Sequence, residues 1–96
     1  MTAPDAALAE LRARIDTLDA ILVHTLAERF RQTDRVGRLK AAHALPALDE
    51  GREAAQIERL ETLAAEAGLD PALAREILGL IVDRVKDNHR KISGED

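Results

Sequence analysis

The sequence predicts an all-α fold of three helices, one long and two shorter, assembled into an oligomer. Three observations lead there. Leu8, Leu11, Ile15, Leu18, Leu22, Leu26, Val36 and Leu39 recur in steps of mostly three and four, with no proline between Asp5 and Leu45. Phe30 is the single aromatic residue, so the core must be Leu, Ile, Val and Ala, which suits helix packing better than a β-sandwich. A helix over about 5–44 would be roughly 60 Å long, whereas a compact chain of this size has a radius of gyration near 13 Å. The remaining residues cannot wrap such a rod, so an oligomer of intertwined long helices is the natural solution.

The elements follow in order. Met1–Pro4 reads as a frayed lead-in, and Asp5 places negative charge at the first helix's N-terminus. Asp16, Asp19 and Glu28 face mostly outward and keep the rod soluble. Gly37 interrupts the pattern at a cost of about 1 kcal/mol relative to alanine. It implies either close helix packing or room for a ligand against the backbone. The helix should end near Ala44, because Pro46 disfavours helical geometry at Leu45. After the link Leu45–Leu48, Asp49 is a suitable N-cap for a second helix over about 49–67. Ile57, Leu60, Leu63, Ala64 and Ala67 should face inward, and Gly68 should stop the helix. Asp70 followed by Pro71 opens a third helix over about 71–92. Leu73, Ile77, Leu80, Ile81, Val85 and Ile92 should face inward there. Lys86, Arg90 and Lys91 complement its dipole, and Ser93–Asp96 should be loose.

Composition limits function. Ninety-six residues make one domain at most, here taken as 1–96. Without cysteine there is no disulfide, thiolate nucleophile or Cys-ligated metal. No apolar run is long enough for a membrane span, and the N-terminus lacks signal-peptide character, so the cytoplasm is expected. A net charge of −4 argues against bulk nucleic-acid binding. There is no Gly-rich phosphate loop, no metal-like histidine spacing and no nucleophile–base motif.

The informative charges are those set into apolar faces. Where the seam calls for another apolar residue after Leu22 it has Arg29, and Lys40 follows on the same side. At helical geometry these two lie about 20° apart around the axis and roughly 16 Å apart along it. Two long cations so placed can hold a small dianion between them. Arg12 sits roughly 25 Å from Arg29 along the rod and reaches such a site only from a second copy. Asp49, Arg52 and Glu53 open the second helix, and His89 lies one turn beyond Val85 on the third. Each has a plainer reading alone. Arg29 would pair with a buried carboxylate such as Glu53. Arg52 and Glu53 would be an exposed first-turn pair, His89 a hydrogen-bonded core histidine, and Arg12 surface charge. Together, three arginines and a lysine beside apolar seams suit a dicarboxylate.

The run L-R-A-R-I-D-T-L-D, then A-E-R-F, V-G-R-L-K, P-A-L-D and G-R-E, resembles the all-helical chorismate mutase family over Leu8 to Ile92. The late segment G-L-D-P…L-I-V-D-R-V-K-D-N-H is similar to monofunctional bacterial members. The resemblance implies an intertwined homodimer with two shared active sites that converts chorismate to prephenate by a Claisen rearrangement, without cofactor or metal. It makes Arg29 and the other chain's Arg12 the carboxylate clamps. Lys40 would contact a carboxylate and the ether oxygen, and Arg52 would support the substrate charge. Glu53 would accept from the substrate hydroxyl, with Asp49 near that end. His89 would be the second donor to the ether oxygen, where better-known members carry glutamine or glutamate. As a neutral ring it still has one N–H, which predicts activity persisting into mildly alkaline pH. The same scaffold also admits isochorismate pyruvate lyase or 4-amino-4-deoxychorismate mutase activity. A non-catalytic helical dimerisation module is the alternative outside catalysis, and its mark would be Arg29 saturated by protein carboxylates.

Overall fold

A computed structural model of the chain describes residues 3–46 and 49–94. It contains three helices: α1 (Ala3–Ala42), α2 (Glu50–Ala67) and α3 (Pro71–Ser93), with no strand among the described residues. The all-α expectation therefore holds. None of the described helices is long and apolar enough to cross a membrane.

The ends of the helices are explained locally. Ala3 and Pro4 are already helical, where a loose lead-in was expected. The first-turn N–H groups have no intrahelical acceptor, so proline costs nothing there. Met1 and Thr2 lie outside the described residues, as do Ala47 and Leu48 of the expected link. At the far end α1 closes through a Schellman arrangement. The Leu45 N–H donates to the Lys40 carbonyl at 2.9 Å and the Ala44 N–H to Ala41 at 3.4 Å. Ala44 takes up the left-handed conformation this needs (φ 53°). The helix thus stops at Ala42, slightly before the expected point.

Asp49 caps α2, its Oδ1 accepting from the Arg52 N–H at 3.0 Å. Gly68 ends α2 at φ 79°, with Leu69 N–H donating to Ala64 at 2.8 Å. Asp70 caps α3 by accepting from the Ala72 N–H at 2.9 Å, with Pro71 in the first turn. Ser93 was expected in a loose tail; it closes α3, and Gly94 caps it at φ 82°. Glu95 and Asp96 lie outside the described residues.

The chain separates into two compact units, Met1–Gln32 and Thr33–Asp96. The described part of the first is α1 as far as Gln32. Its seam is open in the single chain: Leu11, Ile15, Leu18 and Leu22 are more than half exposed, as are Ile21 and Val23 beside it. The second unit contains the antiparallel α2–α3 hairpin. Leu78 is fully buried, Ala64 and Ala74 nearly so, and Ile57, Leu60, Ile81, Val85 and Ile92 are half-buried around them. This corrects the expected inward faces. Leu63, Leu73, Ile77 and Leu80 lie on the open side, and Ala67 is exposed too. The small side chains of Ala64 and Ala74 mark the close approach between helices, and Leu78 is the large residue that fills it.

Candidate functional site

The expected polar constellation divides between the two units. Arg12 (exposed) and Arg29 (half-buried) belong to the first. Lys40, Asp49, Arg52, Glu53 and His89 belong to the second.

Within the second unit, Lys40 is half-buried in the last turn of α1, and its carbonyl anchors the helix end through Leu45. Asp49 has a defined structural role as the α2 cap, which also orders the backbone at Arg52 and Glu53. Arg52 is exposed, and Glu53 is half-buried one turn into α2. From α3, Lys86 Nζ lies 3.2 Å from Glu53 Oε1. Lys86 was read from sequence only as a charge complementing the helix dipole. Its partnership with Glu53 had a usable signal: the two residues stand almost equally far from the Gly68–Asp70 turn of the hairpin.

His89 is half-buried, and its Nε2–H donates to the Thr33 carbonyl of α1 at 2.7 Å. A carbonyl only accepts, so Nε2 carries the proton, and Nδ1 is the remaining ring nitrogen. The ring lies close to Gly37, the one buried residue among those described in α1. A Cβ at that position would come within 2.6 Å of His89 Cδ2 and 3.0 Å of Nε2. Of the two readings open for Gly37, close packing describes this contact, with His89 in the place a side chain would need. Thr33, which no sequence pattern singled out, supplies the acceptor.

The remaining charges are notable for what they do not touch. Ion pairs among the described residues include Glu28–Arg31, Glu61–Arg75, Glu53–Lys86 and Asp87–Arg90. Neither Arg12, Arg29 nor Arg52 is held by a carboxylate among them. Within the second unit, the partner of Glu53 is Lys86. An arginine set partly into an apolar face without a counter-ion is costly unless a ligand or a second chain supplies the negative charge.

The family model for chorismate mutase type II matches residues 11–90, which takes in α2 whole and most of α1 and α3. The chain belongs to the chorismate mutase type II family. The resemblance drawn from the A-E-R-F, V-G-R-L-K and G-R-E runs is therefore correct, and the isomerase expectation stands at the level of the family. Three relatives agree. The T-protein of Haemophilus influenzae is 35% identical over 72 residues, covering 75% of this chain but only 19% of that protein. A 4-amino-4-deoxychorismate mutase of Streptomyces venezuelae is 32% identical over 83 residues, covering 83% of this chain and 81% of the relative. A second protein of that name, from Streptomyces pristinaespiralis, is 34% identical over 84 residues, covering 84% and 65%. The chain thus spans about a fifth of the T-protein and most of each mutase.

Proposed function

We propose that this chain is a chorismate mutase, rearranging chorismate to prephenate in two sites shared across a homodimer. The observation that carries the reading is the family match over 11–90 combined with arginines that no described carboxylate neutralises. The non-catalytic alternative would have Arg29 saturated by protein carboxylates; within the described residues of its own unit no ion pair joins it to one, which supports the catalytic reading.

The dimer follows from the apolar seam. Six large side chains in the first unit are more than half exposed, on an element with no core of its own. A surface of that kind is a partner interface. A second copy of the same helix supplies a matching apolar seam and carries Arg12 to the other chain's Arg29.

The chemistry suits the residues. The rearrangement breaks one C–O bond and forms one C–C bond in a single intramolecular step, with no proton transfer and no nucleophile. Arg29 and the second copy's Arg12 bind the two carboxylates and hold the substrate folded, which contributes through positioning. Lys40 donates to the ether oxygen as negative charge grows there, a contribution larger in the transition state than in the ground state. Glu53 accepts from the C4 hydroxyl, and Arg52 with Asp49 closes that end. His89 reaches the site through its Nδ1 edge, because Nε2–H is engaged by Thr33.

A second reading has a specific observation behind it: two relatives carry the name 4-amino-4-deoxychorismate mutase. Incubating purified protein with each substrate separately, and identifying the products, tests both readings. Prephenate from chorismate is expected. Loss of chorismate with release of pyruvate, or no turnover, would refute the proposal.

A further inference from the structure

We propose that Lys86 is a specificity-determining positioning residue, which sets Glu53 to accept a neutral hydroxyl in preference to an ammonium at the substrate's C4. The inference rests on the proposed placement of Glu53 beside that carbon, and adds a residue outside the motifs that led to it.

The Glu53–Lys86 ion pair engages a candidate site residue, whereas Glu28–Arg31, Glu61–Arg75 and Asp87–Arg90 join groups with no assigned role. It is also a contact between helices, from the first turns of α2 to the second half of α3. Lys86 Nζ approaches Oε1 at 3.2 Å, and Oε2 has no partner among the described residues. Two consequences follow. The ammonium fixes the carboxylate's orientation, so that Oε2 is presented as a preorganised acceptor. It also cancels most of the charge of Glu53. A substrate hydroxyl needs only an acceptor and is well served by Oε2. A substrate ammonium needs net negative charge, and here it meets a neutral pair with a second cation close behind it.

The magnitude is moderated by solvent. The side chains are 34% exposed at Glu53 and 44% exposed at Lys86, so water screens the repulsion. Two like charges about 6 to 7 Å apart in such a setting disfavour the amine by roughly three- to tenfold.

The test measures kcat/KM for chorismate and for 4-amino-4-deoxychorismate with the native protein, Lys86→Met, Lys86→Arg and Glu53→Ala. Native protein should favour chorismate. Lys86→Met keeps an unbranched side chain, one atom shorter, without its charge, and should move the amine-to-hydroxyl ratio toward the amine by roughly three- to tenfold. Lys86→Arg should keep the native ratio, and circular dichroism and sedimentation should match native protein for both variants. A purely structural pair would lower both substrates together and leave the ratio unmoved, which would overturn the proposal. So would a native preference for the amine. Glu53→Ala separates this from the underlying reading. If it costs nothing on either substrate, Glu53 is not at C4, and both fall. If it is costly while Lys86→Met leaves the ratio unchanged, only the role of Lys86 falls.

Discussion

Gly37→Ala is the sharpest probe of the contact between α1 and α3. In an exposed helix interior this change stabilises by about 1 kcal/mol. Here the new Cβ would lie 2.6 Å from His89 Cδ2, against an ordinary contact of 3.4 Å or more. The ring must retreat by about 0.8 Å. If it moves directly away, Nε2···O to Thr33 lengthens from 2.7 Å toward about 3.5 Å, beyond useful hydrogen-bond range. Overpacking costs about 1–3 kcal/mol. The lost hydrogen bond costs about 0.5–1.5 kcal/mol more. Subtracting the propensity gain leaves a net loss of about 0.5 to 3.5 kcal/mol. The decisive comparison repeats the change in a His89→Ala background. With the ring gone, Gly37→Ala should become stabilising by about 1 kcal/mol. Urea unfolding followed by circular dichroism, at one fixed protein concentration because the unit of stability is proposed to be a dimer, reads both values. The same sign in both backgrounds would refute the clash as the reason for glycine.

Three further outcomes are expected. Ala44→Gly removes the strain of a left-handed alanine and should stabilise by roughly 0.5–1 kcal/mol after the entropy gained by the unfolded chain is subtracted, read as a rise in the urea midpoint; a fall would mean that φ 53° is not a burden. Arg12→Ala and Arg29→Ala chains should each be nearly inactive alone and regain activity when refolded together, because one heterodimer site then holds both arginines; no recovery in a verified heterodimer rules out shared sites. The Thr33 contact limits how His89 can donate to a substrate. With Nε2–H committed to Thr33, a neutral ring has no N–H left for the substrate, so it can donate to the ether oxygen only by giving up that bond. His89→Gln, whose amide can donate without that constraint, should match or exceed native kcat/KM for chorismate; a large loss in His89→Gln would show that the ring itself is needed.

The parts of this protein legible in its sequence are those decided within a few residues. Asp49, Asp70–Pro71 and Gly68 each satisfy backbone groups one turn away, so they could be assigned without knowing what lies across the fold. The three helices, and the family, were readable for the same reason: helical period and motif spacing are properties of the chain itself. Pairings across space were not. Glu53 finds Lys86, and His89 finds Thr33 and Gly37, only once α1, α2 and α3 take up their places in the second unit. Which face of α3 is inside was likewise open. Its apolar stripe is wider than one neighbour can cover, so periodicity alone did not distinguish Leu73 and Ile77 from Ala74 and Leu78. Tertiary structure chose Ala74 and Leu78, because the small side chain lets α2 come close and Leu78 then fills the space between.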